Sequence, residues 1–142
     1  MINKFSSLCN RMESTFIILS LSLNIIILSC VCVALILFGK SRIVIDAWGN
    51  SSPSRGILSS IYLSILIISS ILLFLHIQNP MSVSIKYMIF SLLLVQVIYK
   101  LTTPFTVNIK NPIVVSNLFV ATFHIITLFL IRWERTMTIK MF

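Results

Sequence analysis

A histidine lies in the middle of the last apolar segment of this chain, in the stretch SNLFVATFHIITLFLIRWER at residues 116–135. Imidazole changes its charge near neutral pH, so His124 is a candidate for carrying a proton or for binding a ligand or a metal. The competing interpretation is a hydrogen bond between helices, because a polar group in hydrocarbon must find a partner. No Asp or Glu lies within the apolar segments to complete a proton relay. The sequence therefore favours a packing role for His124 over a chemical one.

Other polar side chains lie at a similar depth. At a rise of about 1.5 Å per residue, Asn24, Gln96 and His124 each fall near the middle of an apolar segment. Asn117 lies two helical turns before His124 and so shares its face. We therefore predict a polar seam inside a helix bundle, formed by Asn24, Gln96, Asn117 and His124.

The residues needed for most enzyme chemistry are missing. No Ser-His-acid set has an acid in reach, there are no paired carboxylates, and three glycines cannot form a phosphate-binding loop. Cys9, Cys30 and Cys32 are odd in number and predict neither a disulfide framework nor a metal site. His76 ends its segment and is expected to be exposed at the interface, at a different depth from His124. We expect no enzyme activity, no cofactor, and neither haem nor metal at His124.

Composition places the chain in a membrane. Its 142 residues are 58% hydrophobic and 10% charged, with a mean hydropathy of +1.06, whereas soluble domains are about 25% charged. The net charge is +8, but the basic residues are scattered singly at the ends of apolar segments. There they meet lipid headgroups, so we expect the lipid bilayer and no nucleic acid as a partner.

Four apolar segments can cross the hydrocarbon, which takes about 20 residues each. They predict an all-α integral membrane protein, a four-helix bundle with up-down-up-down order. The third segment is the weakest, because thirteen uncharged residues separate Lys86 from Lys100. It spans if both lysines extend to the interface. The predicted spans are residues 15–38, 57–77, 84–104 and 113–131, within a single membrane domain of residues 1–142.

The longest connection, residues 39–56, is too apolar to be a simple linker. We expect it to lie in the headgroup plane, with Arg42 and Arg55 directed outward and Trp48 dipping into the membrane. Aromatic and basic residues at the ends of the spans are typical interfacial anchors. The predicted anchors are Trp48, Tyr87, Tyr99, Lys100, Arg132 and Trp133.

Flanking charge does not decide the orientation. Six Lys and Arg residues lie on the side of the termini and five on the other side, a difference too small for the positive-inside rule. We expect both termini in the cytoplasm, and a bacterial inner membrane or an organellar membrane as the location. Nearly equal flanking charge would also suit a chain that inserts in both orientations and forms an antiparallel pair with a second copy.

In outline, four spans in a short basic chain resemble small multidrug transporters and fluoride channels. Small multidrug transporters depend on a glutamate embedded in the first helix, whereas Glu13 precedes the predicted first span. No segment matches the glycine- and arginine-bearing pattern of fluoride channels, so no family is assigned.

Two functional hypotheses remain. The first is a non-enzymatic accessory or structural subunit of a larger membrane complex, with other membrane subunits, or copies of itself, as partners. Nearly all of the chain lies in the bilayer, which favours contacts made there. The alternative is a small homo-oligomeric transporter or channel whose pathway is lined by the polar seam.

Overall fold

The computed structural model describes the backbone of residues 2–140 and the side chains of residues 10–132. This part of the chain is all helical and contains no strand, as the sequence predicted. A short helix lies among four long ones. The helices are α1 (Ile2–Leu37), α2 (Arg42–Trp48), α3 (Pro53–Gln78), α4 (Val83–Thr106) and α5 (Pro112–Lys140).

The four long helices are long and apolar enough to span a membrane, which indicates an integral membrane protein. The helix of the first candidate span is already formed before residue 15, and its described part, Asn10–Leu37, includes Glu13. Hydropathy judged from the sequence ends a span at a charged residue. In the folded chain, however, the Glu13 carboxylate has an ion-pair partner, Lys86. The candidate spans are Asn10–Leu37, Pro53–Gln78, Val83–Thr106 and Pro112–Arg132.

The helices begin at residues that cap them locally. The hydroxyls of Ser41, Ser52 and Ser82 each accept a hydrogen bond from the backbone N–H three residues later, at the first turns of α2, α3 and α4. Asn111 Oδ1 accepts from the N–H of Ile113, at 2.9 Å, where α5 begins. These side chains satisfy donors that the first turn of a helix leaves without partners.

The connection between α1 and α3 is ordered by an arginine. Arg55 was predicted to point outward, but it is buried. Its Nη1 donates to the carbonyl of Gly49 at 2.8 Å and its Nη2 to the carbonyl of Gly39 at 2.7 Å. The prediction was wrong because the carbonyls of Gly39 and Gly49, which follow the ends of α1 and α2, both accept from the forked guanidinium. Gly49 ends α2 with a φ of 78°, a conformation that glycine adopts without strain.

Each long helix packs against two others, since α1 and α4 both contact α3 and α5. The buried apolar residues form two clusters. Along α1, the first cluster ends at Leu21 and the second begins at Leu28, with the buried Asn24 between them. A polar layer thus separates the two apolar parts of the core. The first cluster is Ile17, Leu21, Leu72, Ile89, Leu93, Val97, Leu128 and Ile131, and the second is Leu28, Cys32, Leu35, Val44 and Tyr62.

Candidate functional site

The polar layer is a chain of hydrogen bonds that joins three helices. Ser20 Oγ of α1 lies 2.6 Å from His124 Nδ1 of α5. His124 Nε2 lies 3.3 Å from Asn24 Oδ1 of α1. Asn24 Nδ2 then donates to Ser69 Oγ of α3 at 3.2 Å. All four side chains are at most 2% exposed, so the hydrogen bonds form away from solvent and lipid.

These contacts assign the donors and acceptors. The Asn24 amide nitrogen donates to Ser69, so its Oδ1 faces the imidazole and must accept from Nε2–H. A neutral imidazole then has Nδ1 free to accept the Ser20 hydroxyl proton. Both ring nitrogens are therefore satisfied with the ring neutral. Among residues 10–132, no carboxylate joins this network.

The predicted seam is only partly one network. The structure brings Asn24 and His124 together, but Gln96 and Asn117 have other partners. Gln96 is fully buried, and its Oε1 accepts from Lys100 Nζ at 3.4 Å. Asn117 is half-buried, and its Nδ2 lies 3.4 Å from Thr103 Oγ1. Residues at equal depth on different helices need not face one another, because depth does not fix the rotation of each helix.

Sequence reasoning missed both serines of the network. Ser20 lies four residues before Asn24, so the two share a face of α1. That spacing is the signal that could have identified Ser20. Nothing local separates Ser69 from Ser70, which is exposed and bonds within its own helix.

Lys100, a predicted interfacial anchor, is buried among the helices. The residue is 4% exposed, and its ammonium donates to Gln96 Oε1 and to the Tyr99 hydroxyl. These two oxygens replace part of the hydration that the side chain would have found at the interface. The described residues place no carboxylate beside it.

Lys100 lines a cavity of about 270 Å³ to which all five helices contribute, α3 through Tyr62. Asn24 and Asn117 also line it, and most of the remaining wall is apolar. A second cavity, of about 500 Å³, extends toward Val107 and Asn111 in the connection between α4 and α5. The two cavities share six lining residues, which are Ala47, Trp48, Tyr62, Tyr99, Ile113 and Asn117.

An ion pair lies near the other end of α1. Lys86 Nζ and Glu13 Oε2 are 2.6 Å apart, with the side chains 12% and 2% exposed. His76 is fully buried nearby on α3, and its Nε2 lies 3.1 Å from Ser14 Oγ. The expectation of an exposed interfacial His76 was wrong, because α1 extends further than predicted and covers it.

The other predicted anchors vary in exposure. Tyr87 and Arg132 are exposed, as an interfacial position requires. Trp48 and Tyr99 are half-buried and pack against the second apolar cluster, so both contribute to the core. Trp133 lies outside the described side chains.

Among residues 10–132, no three His, Cys, Asp or Glu side chains are grouped so that they could hold a metal ion. The sequence matches no protein-family model, no curated protein and no solved structure.

Proposed function

We propose that this chain is a non-enzymatic integral membrane protein that packs as an accessory subunit against a larger membrane partner. The outward face of α3 carries the proposal. In an 18-residue apolar stretch of each candidate span, 17% of α3 is buried inside the bundle, against 28% of α4 and 33% of both α1 and α5. The chain itself covers α3 least, so this helix offers the most surface to another protein.

The surface chemistry of α3 suits a second helix. Gly56, Ser60 and Ser64 are exposed and follow one another in steps of four residues, so they lie along one face. The Ser60 hydroxyl donates to the Gly56 carbonyl at 3.2 Å, and the Ser64 hydroxyl donates to the Ser60 carbonyl at 2.9 Å. Small residues whose donors are already used let another backbone approach closely in lipid. The occupant of this small-residue face (Gly56, Ser60 and Ser64) is a transmembrane helix of the partner.

The polar layer supports a structural role for His124. Both of its ring nitrogens are engaged, and the network links α1, α3 and α5 without an acid to accept a proton. Hydrogen bonds of this kind fix the rotation and register of helices in lipid. A subunit that presents a defined face to a partner needs such fixed helices.

An up-down-up-down order of the spans is part of the proposal. Asn111, in the connection between α4 and α5, donates to the carbonyl of Ala47 in α2 at 3.1 Å. The α1–α3 and α4–α5 connections therefore lie at one end of the bundle. The pairs Glu13–Lys86 and Ser14–His76 link the N-terminal half of α1 to the start of α4 and to the end of α3. Both observations fit alternating helices with the two termini on one side.

One observation favours a second candidate, a small transporter or channel. The cavity beside Lys100 carries a buried positive charge and polar amides inside the bundle. A pathway for an anion would need such groups. In this alternative the protein would act as a homo-oligomer, without a larger partner.

The discriminating experiment is purification of the tagged full chain from its native membrane in a mild detergent. An accessory subunit co-purifies with a larger membrane protein, and Ser60→Leu with Ser64→Leu releases that protein. Thr122→Leu, at an exposed position of α5, is the matched control and retains it. Recovery of the chain alone as an oligomer, with ion flux in liposomes that His124→Leu abolishes, would instead establish the transporter.

A further inference from the structure

The cavity beside Lys100 is partly enclosed by the fold and has two kinds of wall. Its volume of about 270 Å³ is close to the lower end of the range for small-molecule sites, about 300–1,000 Å³. Most of the wall is apolar, from residues such as Ile27, Val31 and Val120. Asn24, Lys100 and Asn117 supply polar groups. An apolar cavity with a few polar groups is the usual form of a site for a small amphiphilic molecule.

The ammonium of Lys100 has an unmet electrostatic requirement. It has three N–H donors, and the structure gives it two partners, Gln96 Oε1 and the Tyr99 hydroxyl, both uncharged. The described acids lie elsewhere, since Glu13 pairs with Lys86 and Asp46 is exposed on α2. A buried ammonium without a negative partner is costly, and an anion brought into the cavity would remove that cost.

The two amides add donors of the right kind. Asn24 uses one N–H on Ser69 and Asn117 uses one on Thr103. Each carboxamide has two N–H donors, so each retains one. The cavity is therefore lined by three residues from three helices that each keep an N–H donor, and a charge-assisted hydrogen bond from Lys100 to an oxyanion is the stronger kind.

A neighbouring cavity of about 500 Å³ adjoins the cavity of Lys100. It shares Trp48, Tyr62 and Tyr99 with the cavity of Lys100 and reaches the connection between α4 and α5. Its wall includes Asp46, which does not line the cavity of Lys100. The carboxylate of Asp46 disfavours an anionic group in the second cavity, so the anionic group is expected beside Lys100 and the apolar chain along the shared aromatic residues.

From these observations we propose that the cavity binds a single-chain anionic amphiphile, with its carboxylate or phosphate on Lys100 and its chain against the apolar wall. The volume is too small for a lipid with two acyl chains. This binding site is independent of the accessory role, since it uses the interior of the bundle and not the outward face of α3.

The test is native mass spectrometry of the full chain in a non-ionic detergent, with palmitate as the probe. Wild type is expected to bind one palmitate, and Lys100→Met to weaken the affinity by about tenfold or more. Lys100→Arg retains binding, because it keeps the charge. Lys110→Met removes an exposed lysine of the α4–α5 connection and leaves binding unchanged. Equal affinity of wild type and Lys100→Met would overturn the proposal.

A second pair of variants tests the cavity without changing the lysine. Val120→Phe places a larger side chain in the cavity, and Val115→Phe places the same side chain on the exposed face of α5. Loss of palmitate binding in the first and not in the second supports the site.

Competition against palmitate distinguishes the source of the oxyanion. Dodecanoate is expected to compete more effectively than inorganic phosphate. If phosphate competes as effectively as dodecanoate, the ligand is a free anion and the amphiphile proposal is overturned.

Discussion

Ser20 and His124 are 104 residues apart in the sequence, yet Ser20 Oγ lies 2.6 Å from His124 Nδ1 in the buried core. The contact joins the first long helix to the last. The same imidazole reaches Asn24, which reaches Ser69 on α3. Polar side chains therefore set how α1, α3 and α5 are rotated against one another, while apolar packing alone would tolerate several rotations.

His124→Leu should lower the free energy of unfolding by about 1–3 kcal/mol, because it leaves buried groups of Ser20 and Asn24 without partners. Ser20→Ala should cost less. The double variant should reveal a coupling of about 0.6 kcal/mol, measured by equilibrium unfolding in mixed micelles. Thr122→Val is the control: its hydroxyl bonds within α5, so the change should stay within about 0.5 kcal/mol. Strictly additive effects of Ser20→Ala and His124→Leu would contradict the direct contact.

The two partners of the Glu13–Lys86 pair should respond unequally to substitution. Lys86→Met removes the ammonium 2.6 Å from a carboxylate that is 2% exposed, and it should cost up to about 3–5 kcal/mol. Glu13→Gln should cost less, since the amide oxygen still accepts from Lys86 and the lysine is more exposed. Thermal unfolding of both variants in detergent checks the order. A larger loss for Glu13→Gln would mean that Lys86, not Glu13, depends on the pair.

Gly39→Ala should destabilise the turn after α1 by about 1–3 kcal/mol. A Cβ there would lie 2.8 Å from the Leu35 carbonyl oxygen and 3.0 Å from Arg55 Nη2. The backbone oxygen cannot move away without disturbing the last turn of α1. Gly56→Ala is the matched control, because nothing lies within 4 Å of its Cβ. It should be neutral or stabilise α3 by up to about 1 kcal/mol, and equal losses in the two variants would argue against the tight turn.

Single cysteines should report the order of the spans. In a cysteine-free background, Ser51→Cys and Lys110→Cys should react with an impermeant maleimide from one side of the membrane, because Asn111 and Ala47 hold their two connections together. Met81→Cys, in the connection between α3 and α4, should react from the opposite side, which we expect to be the cytoplasm. Labelling of all three from one side would refute the alternating order.

The helices could be predicted because their signals are local. A long apolar run is itself sufficient for a spanning helix. The cap of α5 is equally local, since Asn111 Oδ1 accepts from the N–H of Ile113, two residues on. Depth within a segment also placed Asn24 and His124 at one level. What depth could not supply is the direction in which each side chain points, so Gln96 was assigned to a network that it does not join.

The charged residues were the least predictable, because their positions depend on distant partners. Glu13 and Lys86 are 73 residues apart in the sequence, and each alone would end a span. Arg55 was expected to face outward, but it donates to the carbonyls of Gly39 and Gly49, which come together only after α1 and α2 have ended. A hydropathy scale scores each residue by itself, so it cannot account for a charge that is neutralised by a residue on another helix.

A chain synthesised from its N-terminus completes its contacts in a fixed order. The caps at Ser52 and Ser82 form as soon as their own helices begin. The bond from Asn24 to Ser69 needs only the first two long helices. The bonds from Ser20 and Asn24 to His124 must wait for α5, which leaves the ribosome after the other four helices. Until α5 is made, the chain therefore carries polar groups in the membrane that α5 later satisfies, and this chemical difference distinguishes the two stages of synthesis.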